Sequence, residues 1–447
     1  MGKWKNQLMC LGLIGMLAIT AGCSGGTVSA SVSEHEISAV EEKEEEKQPV
    51  VSEATLFMMG DALLHDPIEY SVMQADGAFN FTLLDRIGEI ASGHDLRYYN
   101  QETILGGDSF GIHGYPRFNG VQAWGDYMVN DLGFNMVSLA NNHSLDMGIE
   151  GIQNSMAYWA SHPEVYSTGT FLSQEAYDAI EVREINGISY AMISYTYGMN
   201  GLLPPEGMEY AVACYDGRIE ELLNKVTKAS QMADVVITAI HWGDEYHMYP
   251  NEFQQTLAQQ LSDAGCDIII GNHPHAIQPV QWINGNQTIC FYALGNAVAA
   301  QFDESCIQMM GGLTIRKTQM PDGEVKIEID DVHADLTYLY FNSTYLNNFI
   351  VVPFAEMVDD TYIADHEGVY NQYKENHANG IKSEKSVKKI SAGLYRIIDE
   401  VVNSYGSMDA TKLIEFTHEE EPWIETKNSE EINIDSIKRY FDKVYDN

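Results

Sequence analysis

Residues 267–275 read Asp-Ile-Ile-Ile-Gly-Asn-His-Pro-His, an apolar run that passes directly into a polar loop. A short run of branched apolar residues is typical of a buried strand, and the glycine and proline that follow favour a loop. His273 and His275 flank Pro274, whose ring restricts the backbone between them. The segment therefore predicts a buried strand that ends in two preorganised histidines.

The same succession of apolar run and polar loop occurs elsewhere in the chain. The other examples are residues 54–59 before Gly60-Asp61, residues 134–139 before Ala140-Asn141-Asn142-His143, residues 234–240 before His241-Trp242-Gly243, and residues 289–294 before Gly295-Asn296. Apolar residues at helical spacing lie between these runs, over residues 219–226 and 253–264. The turn Pro321-Asp322-Gly323 between two strand-like runs predicts a hairpin. We therefore expect an α/β fold, a layered α/β-sandwich with a mixed central sheet.

Composition narrows the classes of function. The chain has 447 residues, of which 45% are hydrophobic, so it can bury a sizeable core. Its formal charge of −40 disfavours binding to nucleic acid. The same charge repels polyglutamate or phosphate unless a local positive centre, such as a metal ion, opposes it. The six cysteines match no zinc-finger spacing, and the sequence leaves open whether the last four form disulfides.

The N-terminal segment predicts secretion. Lys3 and Lys5 precede an apolar run over residues 8–18, and small residues precede Cys23. This arrangement resembles a bacterial lipobox, which implies that residues 1–22 are a lipoprotein signal peptide and that Cys23 carries the lipid. The alternative is an ordinary signal peptide. Either reading predicts an extracytoplasmic protein, and the first predicts attachment to the outer face of the cell membrane.

The rest of the chain divides by composition. Residues 23–52 comprise the lipidated cysteine and an acidic linker that we expect to be disordered. Residues 53–352 contain all the polar strand ends and form the predicted main domain. Residues 353–447 are acidic and carry helical patterns, including one over residues 382–403, so we expect a helical C-terminal extension.

The polar strand ends predict a metal site. Asp61, Asn142, His143, His241 and the His273/His275 pair each follow a different apolar run. Ligands of open α/β sheets bind at the carboxyl ends of the strands, so these side chains are expected to meet. Imidazole and carboxylate groups together suit Mn²⁺, Zn²⁺ or Fe. Taken singly, each motif is better explained as a turn or a helix cap, whereas their joint occurrence at strand ends favours a functional site.

The ordered set of motifs is similar to that of the CapA/PgsA-type capsule-synthesis family, which makes poly-γ-glutamate. The motifs run from about residue 55 to residue 301: Gly60-Asp61, Asn100-x-Glu102, Ala140-Asn141-Asn142-His143 with Asp146 and Gly148, His241-Trp242-Gly243-x-Glu245, Gly271-x-His273-Pro274-His275 and Leu294-Gly295-Asn296. That family looks like a relative of the calcineurin-like metallophosphoesterases. The resemblance implies a layered fold of that type and partners among capsule-polymer synthase or export subunits.

The resemblance also implies roles for individual residues. His143 would be the catalytic residue, as a general acid. The implied metal ligands are Asp61, Glu102, Asn142, His241, His273 and His275. Supporting or substrate-binding roles fall to Asn100, Asn141, Asp146, Glu245 and Asn296, with Glu245 orienting a ligand histidine.

Two departures from the superfamily pattern bear on the number of ions. The sequence has Asp61-Ala62-Leu63 where the superfamily has Asp-x-His, and His65 lies at a different spacing. Glu102 stands where a metal-bridging Asp is usual. The number of bound ions is thus left open between none and two. Three functions remain: a surface component of capsule synthesis, a general metal-dependent phosphoesterase, and a scaffold without catalysis.

Overall fold

The computed structural model describes residues 48–375. The fourteen strands of this part are β1 Val50–Leu63, β2 Leu96–Asn100, β3 Met136–Ser138, β4 Tyr166–Thr168, β5 Arg183–Ile185, β6 Ile188–Thr196, β7 Val235–His241, β8 Ile268–Asn272, β9 Ile277–Ile283, β10 Thr288–Leu294, β11 Asn296–Ala299, β12 Ile307–Gln319, β13 Val325–Asn342 and β14 Asn347–Pro353. Its eight α-helices are α1 Asp66–Val72, α2 Asp85–Ala91, α3 Gln122–Asp126, α4 Gly148–Ala160, α5 Gln174–Asp178, α6 Ile219–Ala229, α7 Glu252–Asp263 and α8 His366–Tyr373.

The strands form two mixed sheets. In the first, the order is β14-β13-β12-β1-β2-β3-β4, and β11 pairs with the end of β1. In the second, the order is β5-β6-β7-β8-β10-β9. In the first sheet the pairs from β1 to the edge strand β4 are parallel, and those from β1 to β14 are antiparallel, including the predicted hairpin of β12 and β13. In the second sheet the parallel pairs lie in the middle, with an antiparallel pair at each edge. The expected α/β class with mixed sheet is confirmed, with two sheets in place of one.

Alternation along the strands explains the layers. In β7, Val235 and Ile237 join a core cluster shared with Leu56 of β1, so the two sheets pack face to face. The intervening residue Val236 points to the opposite face and packs with Leu222 of α6. Successive side chains of a strand point to opposite faces, so the all-apolar runs fit strands covered on both sides. Helices therefore lie against the outer face of the second sheet.

Strand β1 departs from its predicted bounds at both ends. It begins at Val50, before the predicted domain start at residue 53, because its first residues pair with the long strand β12. It also continues through Gly60-Asp61 to Leu63, where a loop was expected, because its last residues pair with β11 after an irregularity at Asp61. A Cβ at Gly60 would lie 1.8 Å from the Gly295 carbonyl oxygen, so only glycine permits this pairing.

Several predictions concern segments at the ends of the chain. The signal peptide, Cys23, most of the acidic linker and the helix predicted over residues 382–403 lie outside the described residues. After β14 the described chain contains a short 3₁₀ turn, Phe354–Glu356, and helix α8. Within residues 48–375, no helix has the length and apolar character needed to cross a membrane. The four cysteines of this part are buried free thiols.

Candidate metal centre

Polar residues from both sheets meet at one edge of the sandwich. Asp61 lies near the end of β1 and Asn100 is the last residue of β2. His241 is the last residue of β7 in the second sheet, and His273 directly follows β8. All four are buried. The carboxyl ends of the parallel strands therefore converge as the sequence pattern predicts.

Glu102 lies at the centre of this group. Its Oε1 atom is 3.6 Å from Nε2 of His241 and 3.8 Å from Nε2 of His275. The side chain is fully buried, and neither carboxylate oxygen has a hydrogen-bond partner among the described residues. Burial raises the pKa of Glu102 to about 8, because removal from water disfavours the charged form. A buried carboxylate without donors is costly unless a cation offsets its charge.

Asp61 is held in place by donors from both sheets. Its Oδ1 accepts a hydrogen bond from Asn100 Nδ2 at 2.7 Å, and its Oδ2 accepts one from the His273 backbone N–H at 2.9 Å. Oδ2 also lies 3.6 Å from His275 Nδ1. Burial, and then the nearby charge of Glu102, raise the pKa of Asp61 well above its ordinary value. Asn100 thus positions the carboxylate, and its own Oδ1 has no partner among the described residues.

Buried amides orient two of the three histidines. Asn142 donates from Nδ2 to Asn200, so its Oδ1 faces Nε2 of His241 at 2.8 Å. Asn296 donates from Nδ2 to two other oxygens, so its Oδ1 accepts from Nδ1 of His275 at 2.9 Å. These bonds set the ring orientations and, for His275, turn Nε2 towards Glu102.

The histidines are kept in their neutral form. Burial lowers the pKa values of His241 and His273 well below the ordinary value, and it lowers that of His275 to about 3. Nδ1 of His273 has no hydrogen-bond partner in the described part of the chain. His273 and His275 have positive φ angles of 98° and 55°, a backbone conformation that residues other than glycine rarely adopt. Neutral imidazole is the form that binds a metal.

The donor set fits a divalent transition metal. Three groups of side chains each have donor atoms within 4.8 Å of one another: Glu102, His241 and His273; Asp61, Glu102 and His275; and Glu245, His273 and His275. Two ligands on one ion, each about 2.1 Å from it, lie at most about 4.2 Å apart, so the Glu102 contacts above match that spacing. The orphaned oxygens of Glu102 and the free Nδ1 of His273 are the atoms that an ion would engage.

His143 lies beside this cluster in a separate hydrogen-bonded pair. Its Nδ1 is 2.7 Å from Oδ2 of Asp146, which also accepts a hydrogen bond from the Phe118 backbone N–H. Burial opposes a charge on His143, but the Asp146 hydrogen bond and the negative charges of Glu102 and Asp146 outweigh it and raise the pKa. The Phe118 ring packs edge-on against the imidazole at 4.6 Å. Among the described histidines of the site, His143 thus differs in having a raised pKa, which favours its protonated form.

Other residues of the predicted site lie at its margin. Asn141 donates to the Gln101 carbonyl and accepts from the His143 backbone N–H, so it shapes the loop. Glu245 is exposed, and its carboxylate forms a group of possible metal ligands together with His273 and His275. The sequence had predicted instead that Glu245 orients a ligand histidine. His65 contacts the Leu63 carbonyl and the Ala300 backbone N–H and is absent from all three donor groups.

Tyr197 and Asn200 complete the site, although no sequence motif singled them out. The Tyr197 ring lies 4.7 Å from that of His273 and is parallel to that of His241. Its hydroxyl donates to Asn200 Oδ1, the same atom that holds Asn142. The available signal was position, because Tyr197 directly follows β6 and His241 is the last residue of the neighbouring strand β7.

Comparison with known proteins agrees with this geometry. The family model described as "Bacterial capsule synthesis protein PGA_cap" matches residues 55–301, more than half of the chain. The chain belongs to this family. The matched stretch contains every residue of the metal cluster, and the resemblance to the CapA-type family is confirmed. A second model, "Antitoxin SocA-like, Panacea domain", matches residues 352–424, which lie mostly beyond the described part.

Two curated relatives are named for PGA or capsule biosynthesis. The "PGA biosynthesis protein CapA" of Bacillus subtilis (strain 168) is 30% identical over 209 residues, which cover 46% of this chain and 53% of that protein. The "Capsule biosynthesis protein CapA" of Bacillus anthracis is 31% identical over 178 residues, covering 39% and 42%. The chain thus spans about half the length of the curated relatives it matches.

Solved structures align over a larger share of the chain at low identity. A phosphatase from Mycoplasma pneumoniae aligns with a TM-score of 0.38 and 12% identity, covering 63% of this chain and 95% of that one. A hypothetical protein from Thermus thermophilus aligns with a TM-score of 0.36 and 13% identity, covering 62% and 98%. The assignment of fold class here rests on the sheet topology and the family match.

Proposed function

We propose that this chain is a cell-surface lipoprotein of capsule synthesis or export, acting on poly-γ-glutamate through a divalent-metal site. Membership of the PGA_cap family and the names of the two Bacillus relatives support the capsule role. The observation that carries the metal site is Glu102, a fully buried carboxylate that has no hydrogen bond among the described residues and faces two neutral histidines. Mn²⁺, Zn²⁺ and Fe are the ions that suit this mixture of nitrogen and oxygen donors.

The proposed location follows from the N-terminal residues. A lipid on Cys23 would anchor the chain to the extracytoplasmic face of the cell membrane, and residues 24–50 would hold the folded part away from it. The partners expected there are the membrane and the synthase or export subunits that deliver the polymer. An anionic polymer approaches a chain of charge −40 favourably only at a local positive centre.

The side chains of the site divide the chemical work. Asp61, Glu102, Asn142 and the three histidines would hold the ion, and Asn100 and Asn296 fix the orientation of their partners. A bound divalent ion supplies positive charge that stabilises negative charge developing on a substrate oxygen. His143 keeps a proton at Nε2 while Asp146 engages Nδ1, so it can donate that proton to a leaving group.

Deletion and complementation in the native host test the capsule role. Deletion of the gene is expected to reduce the amount of surface polymer, measured by immunoassay and by gel filtration of the released material. The wild-type gene should restore the polymer, whereas Glu102→Gln and Cys23→Ala should not, although both proteins are still produced. An unchanged polymer yield and length in the deletion strain would show that the proposed role is wrong.

A metal-dependent phosphoesterase is the second candidate, and the His143–Asp146 pair favours it because the pair resembles a general acid held in place. This function predicts hydrolysis of bis-p-nitrophenyl phosphate with Mn²⁺, and a loss of about 10²- to 10⁴-fold in His143→Asn. Metal-loaded protein that shows no turnover with several ions would exclude this candidate. Protein that binds no metal at all would instead indicate a scaffold without catalysis.

A further inference from the structure

A cavity whose lining contains none of the candidate metal ligands lies beside β4, the edge strand of the first sheet, and β6 of the second. It has a volume of about 290 Å³. Strand β4, the last of the first sheet, and strand β6 of the second form its walls, and the segment containing α5 covers it. This volume is at the lower end of the range for small-molecule sites.

Most of the cavity wall is apolar. Met156, Phe171, Ile180, Met192 and Ile193 contribute to it, and hydroxyls of β4 and β6 line one side. Two charged residues, Glu181 and Lys225, complete the lining. Glu181 is already paired with Arg183 at 2.6 Å, so its charge is compensated.

Lys225 is the unpaired charge of this wall. It is half-buried, and no carboxylate oxygen among residues 48–375 lies within ion-pair distance of its Nζ. Its Nζ donates to the Tyr177 carbonyl and lies 4.7 Å over the Tyr177 ring and 5.4 Å over that of Phe171. These contacts hold the ammonium group in place, and the negative charges of Asp178 and Glu221 act on it from beyond ion-pair distance.

Lys225 also borders a second, open space. A polar surface cleft of about 820 Å³ lies beside the cavity, and Lys225 lines both. Arg218 and Lys228 add positive charge to this cleft, where Asp178, Glu220 and Glu221 also lie. The ammonium group therefore stands where an apolar cavity meets solvent, which is the arrangement that suits a ligand with one apolar and one charged end.

We propose that this cavity binds a small amphipathic anion, with its hydrocarbon chain between β4 and β6 and its acidic group at Lys225. The acidic group can be a carboxylate, as in a short fatty acid, or a phosphate, as in a lipid fragment. Charge complementarity carries the assignment of sign, because Lys225 is the charged residue of the lining that makes no ion pair among the described residues. None of the candidate metal ligands lines this cavity, and the proposal does not rest on the proposed function in capsule synthesis.

Calorimetric titration of the full chain at pH 7 tests the proposal, with octanoate, octyl phosphate and uncharged 1-octanol as probes. Saturable binding of one anion per chain is expected, and the tighter anion identifies the acidic group. Lys225→Met should weaken anion binding by about 10- to 100-fold and leave 1-octanol unchanged, since a hydrogen bond to a charged group is lost. Lys228→Met, an exposed lysine of the same helix, is the matched control and should bind as the wild type does.

A second variant keeps the test decisive if Lys225→Met does not fold. Ala176→Leu adds apolar volume to the cavity wall without touching the lysine and should weaken all three probes. Ala157→Leu, on the exposed face of α4, is its control. Absence of saturable anion binding to the wild type would overturn the proposal. So would anion binding that neither Lys225→Met nor Ala176→Leu changes.

Discussion

Two glutamates of this chain are equally buried but differ in the groups that surround their carboxylates. Glu102 and Glu69 are both fully buried, and burial raises the pKa of each to about 8. Glu69, on α1, accepts a hydrogen bond from the Val121 backbone N–H at 2.7 Å, and its other oxygen has no partner among the described residues. Glu102 accepts no hydrogen bond and faces His241 and His275.

The contrast shows what distinguishes a cation site from a buried acid. Removal from water penalises the charged form of both carboxylates, so a raised pKa does not separate them. The neighbouring side chains distinguish the two carboxylates, because Glu102 belongs to two groups of possible metal ligands and Glu69 belongs to none within residues 48–375. A divalent ion would compensate Glu102, whereas Glu69 reduces its cost by keeping its proton. Variants of the two residues should therefore behave differently.

The largest expected effect is on metal affinity. Glu102→Gln should lower the affinity for Mn²⁺ at least about a hundredfold, because loss of even a supporting partner costs 10- to 100-fold and this change removes a charged ligand. Glu69→Gln should bind Mn²⁺ as the wild type does. Metal content after dialysis and calorimetric titration measure both. Equal affinities in the two variants would show that Glu102 is not a ligand.

Much of this architecture could be predicted from the sequence. Buried strands such as residues 268–272 are recognisable because both faces are covered and every residue is apolar until the strand ends. Histidines and amides directly after such runs then mark the site, since parallel strands end at the same edge. This reasoning found Asp61, Asn142 and His241 without any knowledge of which strands pair.

The remaining features depend on contacts between distant segments. The continuation of β1 to Leu63 requires β11, a four-residue strand that has no distinctive pattern of its own. Tyr197 reaches the site through the neighbouring end of β7, and the cavity at Lys225 exists because two sheets and α5 leave a space. Glu69 resembles a surface acid of a short helix, and only its packing against the segment at Val121 buries it.

A smaller effect on metal affinity is expected at Asn296. Its Oδ1 fixes Nδ1 of His275 as a donor, which leaves Nε2 free towards Glu102. Asn296→Ala should therefore weaken Mn²⁺ binding by about 10- to 100-fold. Asn296→Asp keeps an acceptor for His275 but loses both donations from Nδ2, so it should retain more affinity than the alanine variant and less than the wild type. If the alanine variant binds Mn²⁺ normally, orientation of His275 by Asn296 is unimportant for the site.

The two glutamates can also be separated by the pH dependence of stability. Folded Glu69 keeps its proton up to about pH 8, whereas the unfolded chain releases it near the ordinary value of 4.5. The unfolding free energy therefore falls as pH rises through this window, by up to about 1.4 kcal/mol per pH unit from this group. The Glu69→Gln variant has no such proton to release. Its unfolding free energy should therefore rise relative to that of the wild type as pH increases from 5 to 7.5.

Urea unfolding at several pH values measures this difference. The gap between the wild type and Glu69→Gln should be the same with and without Mn²⁺, because Glu69 is in none of the described groups of possible ligands. A gap that does not change with pH would mean that Glu69 is ionised in the folded chain. A gap that closes when Mn²⁺ is added would place Glu69 in contact with the metal centre and remove the difference between the two glutamates.

The smallest expected effect separates stability from the site itself. Asn251 caps helix α7, where its side chain accepts from the Gln254 backbone N–H and Gln254 reciprocates. Asn251→Ala should lower the unfolding free energy by about 1 kcal/mol, the usual cost of a lost cap. Mn²⁺ affinity should stay within about twofold of the wild type, because no ligand donor is removed. A large loss of Mn²⁺ affinity would instead show that the loop from Glu245 to Asn251 must be held rigid for metal binding. This loop would then belong to the metal site.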